Sequence, residues 1–112
     1  MVSDLDKVDL VERTELFANY PNPFNPSTTI SFAIFAEGPV SIVIYNIRGQ
    51  KVRTLVDDVL AMNQYRVVWN GADDHGRQVS SGVYFYQLKA NDQTFVRRMI
   101  LMKQSLNSSP SP

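Results

Sequence analysis

Hydrophobic and polar side chains alternate in several short stretches of the chain. In residues 28–34, Ile30, Phe32 and Ile34 fall on one face of an extended segment, and the residues between them fall on the other. A repeat of two residues indicates a β-strand with one buried face. The repeat recurs along the chain and predicts seven strands, at residues 16–18, 28–34, 40–46, 51–56, 64–70, 83–90 and 94–103.

Residues that favour turns separate these stretches. Gly49 can adopt the positive φ that a short hairpin turn needs, and Asn-Asp at 91–92 is typical of a hairpin tip. No long window keeps a helical spacing of apolar residues, so the sequence predicts an all-β fold, an immunoglobulin-like sandwich of about seven antiparallel strands. The predicted turns and loops are residues 36–39, 46–49, 57–63, 71–82 and 91–92.

Three closely spaced prolines precede the second predicted strand. They are Pro21, Pro23 and Pro26 in the segment YPNPFNP. Proline fixes its own φ and pushes the preceding residue toward extended geometry. The segment is therefore predicted to be a stiff, non-helical connector.

The length and composition of the chain predict one domain. Its 112 residues are 44% hydrophobic, which is enough for a single core. Residues 14–103 are predicted to form that domain. Residues 1–13 are charged and lack the apolar centre of a signal peptide, so they are predicted to be a linker or the end of a preceding region. The Ser- and Pro-rich residues 104–112 are predicted to be a disordered tail.

Charge and hydropathy exclude two classes of partner. Eleven basic and eleven acidic side chains cancel, so no long-range positive field would attract nucleic acid. No apolar run approaches the ~20 residues of a membrane helix, so insertion into a membrane is not expected. The chain has no cysteine, which removes disulfides and thiolate chemistry but does not exclude export.

Few side chains suggest catalysis or metal binding. His75 lies beside Asp73 and Asp74, but zinc needs three or four ligands, and the chain has no second histidine. The two aspartates are better explained as side chains that bond to backbone amides of a turn. Ser80 and Ser81 have no plausible base partner. The sequence therefore predicts no enzyme activity, no metal and no cofactor.

Aromatic side chains allow two interpretations. Tyr65, Trp69, Tyr84, Phe85 and Tyr86 could form a face that stacks on carbohydrate. A small sandwich, however, needs large side chains to fill the space between its sheets. We therefore expect Trp69, Tyr84 and Tyr86 to lie in the core.

Four separated motifs carry a family resemblance. With these motifs in this order, the chain resembles the C-terminal sorting domain of type IX secretion substrates, and the match covers about residues 16–103, most of the chain. It is also similar to the related immunoglobulin-like domain of the flagellar hook-capping protein. The motifs are YPNPFNPSTTI from Tyr20, VIYNIRGQKVRTL from Val43, WNGADDHG from Trp69 and VSSGVYFY from Val79.

The resemblance implies a non-catalytic sorting and surface-anchoring signal at the C-terminus of a secreted bacterial protein. Its partners would be the outer-membrane secretion machinery and an attached N-terminal cargo. The protein would be secreted or located on the cell surface. Each motif residue also has a structural explanation, since glycines permit turns and tyrosines pack. The implied recognition residues are Pro21, Asn22, Pro23, Phe24, Pro26, Tyr45, Gly49, Gln50, Val52, Gly82, Val83, Tyr84 and Lys103.

Two other functions fit the same pattern. The chain could be an accessory module of an extracellular hydrolase, acting as a spacer, a stabiliser or a polysaccharide-binding domain. It could also be a structural building block of an appendage. A row of exposed aromatic side chains would favour the polysaccharide-binding module, and self-association would favour the appendage.

Overall fold

A computed structural model of the protein describes residues 11–103. The predicted tail and most of the predicted linker lie outside these residues. The described part contains no helix, and so none that could span a membrane. Its seven strands are β1 (Glu15–Leu16), β2 (Thr28–Ile34), β3 (Gly38–Asn46), β4 (Lys51–Leu60), β5 (Asn63–Trp69), β6 (Gly82–Ala90) and β7 (Gln93–Leu101).

The strands form two antiparallel sheets. One has three strands in the order β1-β2-β5, and the other has four in the order β4-β3-β6-β7. Every strand pairing is antiparallel. The predicted all-β sandwich of about seven antiparallel strands is therefore confirmed.

The core lies between the two sheets and is built by alternate residues of each strand. Ile30, Phe32 and Ile34 are buried on β2, as their spacing predicts. The core interpretation of the aromatic residues is confirmed too, since Trp69, Tyr84 and Tyr86 are all buried. The other large core side chains are Phe24, Val40, Ile42, Ile44, Leu88, Met99 and Leu101.

Two predicted turns are shorter than expected. The loop predicted at 57–63 is mostly strand, since β4 continues to Leu60 and β5 begins at Asn63. Asp57 and Asp58 suggested a loop, but β4 is an edge strand, where carboxylates can extend into solvent.

The turn predicted at 36–39 is also partly wrong, because β3 begins at Gly38. Pro39 pairs with Val59 of β4, but it precedes the point at which β3 begins to pair with β6, at Val40 and Ala90. Its missing N–H therefore removes no hydrogen bond of that ladder.

Smaller boundary differences occur elsewhere. The first strand is Glu15–Leu16 rather than 16–18, and the last ends at Leu101 rather than at 103. The predicted hairpin tip is confirmed, with φ of 52° at Asn91 and 62° at Asp92. Gly49 has the expected positive φ, at 80°.

Candidate recognition surface

The separated motifs meet at one end of the sandwich, which we call the motif end. Here β3 leads into β4 through residues 46–50, β6 begins at Gly82, and β7 ends at Leu101. The proline-rich segment 20–26 and the loop 70–81 lie at the same end, since β2 begins beside the last residue of β5. The opposite end carries the turns at residues 35–37, 61–62 and 91–92.

The proline-rich segment is held against the end of β7. The N–H of Phe24 donates to the Ile100 carbonyl at 3.0 Å, and the N–H of Met102 donates to the Phe24 carbonyl at 2.9 Å. The Asn22 side chain accepts from the N–H of Ile100 at 3.0 Å. The segment therefore acts as a short parallel extension of the four-stranded sheet, and it covers part of the β7 edge.

A second set of contacts joins the proline-rich segment to the three-stranded sheet. The buried Thr28 hydroxyl donates to the Pro21 carbonyl at 2.7 Å. The Asn19 amide donates to the Thr28 hydroxyl at 3.0 Å and to the Pro21 carbonyl at 3.2 Å. Buried hydrogen bonds of this kind fix the backbone position, so the segment bridges both sheets.

Three aromatic rings lie beneath the motif end. The Trp69 ring centroid lies 5.7 Å from that of Phe24 and 5.3 Å from that of Tyr84, in tilted and edge-on geometry. The indole N–H donates to the Ala72 carbonyl at 2.8 Å. Such packing positions the proline-rich segment, the loop 70–81 and the start of β6 against one another.

The loop 70–81 is organised by Asp73. Its carboxylate accepts from the N–H of Arg77 at 3.0 Å and of His75 at 2.9 Å. The bond from the Arg77 N–H is the main cause that lowers the pKa of this carboxyl below its ordinary value. Asp74 similarly accepts from the N–H of Thr54 at 3.1 Å. The predicted capping role is confirmed for Asp73, whereas Asp74 bonds to the backbone of β4 rather than to its own turn.

No metal site forms around this loop. Within residues 11–103, no three His, Asp or Glu side chains lie close enough to hold a metal ion. His75 is exposed, as expected for a turn residue. The hydrogen bonds of Asp73 to the backbone of the loop therefore explain its conformation.

The turn between β3 and β4 is fixed by one side chain. The Asn46 carboxamide oxygen accepts from the N–H of Arg48 at 2.9 Å and of Gln50 at 3.0 Å. The Asn46 amide donates to the Gln50 side chain at 2.9 Å. Because its backbone and side chain are both held, the turn presents a defined surface at the motif end.

The end of the described chain is attached to the start of β6. The N–H of Lys103 donates to the Ser81 hydroxyl at 2.9 Å. Leu101 is paired with Gly82. The Lys103 side chain is exposed beside this junction.

The predicted recognition residues are thus brought together, but they differ in exposure. Phe24, Val52 and Tyr84 are buried, and Tyr45, Gly82 and Val83 are half-buried. Those that remain exposed are Pro21, Asn22, Pro23, Pro26, Gly49, Gln50 and Lys103.

Two residues that build this end were not among the predicted recognition residues. Asn46 and Ser81 cap the turn and the chain end described above. Asn46 had a local signal, since an asparagine three residues before a glycine is typical of a capped turn. Ser81 had no such signal, because its partner is 22 residues away in the sequence.

A family of secretion-system C-terminal sorting domains matches residues 18–102 of the chain. The chain belongs to this family. It is therefore a type IX secretion sorting domain, and the protein that carries it is secreted or displayed at the cell surface. No curated protein sequence matches the chain.

Solved structures show the same fold. Dimeric latent PorU from Porphyromonas gingivalis is 17% identical, with a TM-score of 0.65 over 81% of this chain and 9% of PorU. FlgD from Xanthomonas campestris, a hook-capping protein, is 21% identical, with a TM-score of 0.55 over 86% of this chain and 72% of FlgD.

PorZ, a surface component of the type IX secretion system of P. gingivalis, is 23% identical, with a TM-score of 0.51 over 78% of this chain and 11% of PorZ. The chain thus corresponds to only about a tenth of the length of PorU and PorZ. At these identities the three structures support the fold alone.

Proposed function

We propose that outer-membrane components of the secretion machinery recognise the motif end, and that the domain thereby delivers an attached N-terminal cargo to the cell surface and anchors it there. In this role the domain is a recognition element without a catalytic step. The observation that supports the proposal is convergence: residues from four separated motifs share one end of the sandwich and are held there by backbone bonds.

The position of the N-terminal side of the domain supports this arrangement. The Thr14 hydroxyl donates to the Asn91 carboxamide oxygen, and the N–H of Phe35 donates to Thr14 at 3.0 Å. Both contacts lie at the end opposite the motif end. A cargo attached before Val11 would therefore leave the motif end accessible to a partner.

The motif residues divide into two roles. Phe24, Val52 and Tyr84 are buried and hold the segments together. The exposed side chains are the ones that a partner can contact, and Gln50 and Lys103 are the most informative of these. We therefore assign the supporting role to the buried residues and the recognition role to the exposed ones.

The test is delivery of a reporter fused before the full chain, in a bacterium that has a type IX secretion system. The variant Gln50→Ala with Lys103→Ala changes two exposed side chains at the motif end. The matched control, Gln93→Ala with Lys89→Ala, makes the same two changes at exposed positions near the opposite end.

Loss of two interface contacts of about 0.7 kcal/mol each would reduce surface delivery roughly tenfold. The control is expected to remain within about twofold of the unmodified fusion. Thermal melts of each isolated chain would verify folding. Failure of the unmodified fusion to reach the surface, or equal loss in variant and control, would refute the proposal.

A further inference from the structure

The outer face of the four-stranded sheet carries apolar and aromatic side chains near the motif end and mostly polar ones near the opposite end. Alternate residues of β3, β6 and β7 face the core, so the residues between them face outward. The outward residues nearest the motif end are Tyr45, Val83, Phe85 and Ile100, with Lys51 and Arg98 beside them. The next row holds Val43, Gln87 and Val96. Those nearest the opposite end are mostly polar, namely Ser41, Asp57, Lys89 and Thr94, although Pro39 and the exposed Val59 also lie there.

One row of this face combines two aromatic rings with two cations. The strand register places Lys51 beside Tyr45, Tyr45 beside Phe85, and Phe85 beside Arg98. The two rings are half-buried, and the two cations at the ends of the row are exposed. Neighbouring strands lie about 4.8 Å apart, so the backbones of Lys51 and Arg98 are separated by about 14 Å.

Neither cation forms an ion pair with the described residues, although Asp73 and Asp74 line the same pocket as Lys51. No carboxylate of residues 11–103 lies within salt-bridge distance of Lys51 or Arg98. An apolar centre with unpaired charges at its rim is typical of a protein-binding surface. Two positive charges that flank it select a partner with carboxylates at a matching separation.

We propose that this row docks on an acidic protein surface of the secretion machinery, with an apolar side chain of the partner over Tyr45 and Phe85 and its carboxylates beside Lys51 and Arg98. The inference rests on the proposed function and adds the chemistry of the partner. The row is continuous with the motif end, since Tyr45 immediately precedes the turn that Asn46 caps.

A second copy of the chain fits this surface poorly. If two rows met face to face in antiparallel directions, Lys51 of one copy would lie opposite Arg98 of the other. Like charges at such a contact oppose association. The charges therefore favour an acidic partner over self-association.

The test uses the same reporter fusion with the charges of the row reversed. The variant Lys51→Glu with Arg98→Glu is expected to reduce surface delivery at least about tenfold, because like charges would then face each other across the contact. Lys51→Arg with Arg98→Lys keeps both charges and is expected to remain within about threefold. The matched control is Lys89→Glu with Arg66→Glu, at exposed positions outside the row.

Each outcome decides the inference. Loss confined to the reversed row, with retention in the charge-preserving variant, supports it. The inference is overturned if the reversed variant is delivered as well as the unmodified fusion, or if the control loses as much delivery as the reversed variant. Either result leaves the proposed function intact, provided that the unmodified fusion is delivered. A purified chain that is dimeric, and becomes monomeric when the row is reversed, would also overturn it, because a second copy would then cover the face.

Discussion

The two ends of the sandwich are built in different ways. At the motif end, three segments distant in sequence are joined by backbone hydrogen bonds, and a cluster of three aromatic rings lies beneath them. At the opposite end, the Asn91 side chain makes most of the connections. It donates to the Ala36 carbonyl at 2.8 Å and accepts from the N–H of Ala36 at 3.2 Å.

This difference explains why the recognisable motifs cluster at one end. A surface assembled from distant segments needs particular residues in each of them, both to hold the segments and to contact a partner. The opposite end needs little more than short turns. Each sequence motif of this domain therefore contains buried residues that support the fold and exposed residues that a partner can contact. Substitutions can test the two roles separately.

The largest effect is expected from removing the aromatic support. Trp69→Ala would leave a cavity and remove the hydrogen bond to the Ala72 carbonyl. We therefore expect the free energy of unfolding to fall by about 4 kcal/mol. Phe35→Ala at the opposite end removes a half-exposed ring and is expected to cost about 1 kcal/mol or less. Urea titration of both variants measures the difference, and similar costs would show that the two ends are supported alike.

A smaller effect is expected at two glycines with nearly the same backbone angle. Gly71 has φ of 79° and Gly49 has φ of 80°. A Cβ at Gly71 would lie 3.2 Å from both the Pro26 carbonyl oxygen and the Gln78 side chain, whereas a Cβ at Gly49 meets nothing within 4 Å.

Substitution of either glycine by alanine costs about 1 kcal/mol of backbone strain. Gly71→Ala should cost about 1 to 2 kcal/mol more than Gly49→Ala, because the proline-rich segment must move. Denaturant midpoints of the two variants give the comparison directly. Equal costs would mean that the segment is not packed against the loop as described.

The opposite end is tested by its hairpin tip. Asn91→Ala would lose the bonds to Ala36 and is expected to cost about 2 kcal/mol. Asp92→Ala, at the neighbouring residue with positive φ, is expected to cost less than about 1 kcal/mol, because no side-chain bond of Asp92 is found within residues 11–103. Thermal melts would rank the two variants. Equal losses of stability would show that the hydrogen bonds of the Asn91 side chain do not stabilise this end.

The smallest effect concerns pH and Asp73. Its pKa is lowered in the folded state, so its contribution to stability is present above the pKa of the unfolded chain and is lost as pH falls through the folded value. Asp73→Asn should therefore be less stable than the unmodified chain near pH 7. The difference should shrink as the pH falls below about 3.9, the ordinary pKa of an aspartate, and through the lower folded-state value. A difference independent of pH would show that the charge of Asp73 does not contribute.

Most of the fold could be predicted because its signals are local. The alternation of Ile30, Phe32 and Ile34 identifies a strand and its buried face without knowledge of its partner. The end of β4 could not be predicted from Asp57 and Asp58, since their tolerance in a strand depends on β4 lying at a sheet edge.

The candidate site was predictable only as a set of separated motifs. Their convergence depends on contacts such as that between Phe24 and the end of β7, which are 76 or more residues apart in sequence and leave no periodic signal. The division into buried and exposed motif residues likewise required the packing of both sheets. Phe24 and Pro23 are neighbours in one motif, yet only Phe24 is buried.

The most direct test of the motif end as the recognition surface is site-specific photo-crosslinking. A photoreactive residue replaces either Gln50 at the motif end or Gln93 at the opposite end of the reporter fusion, during export in a bacterium with a type IX secretion system. We predict crosslinks to an outer-membrane protein of the machinery from position 50 and not from position 93. Equal crosslinking from both positions, or crosslinking from position 93 alone, would contradict the account.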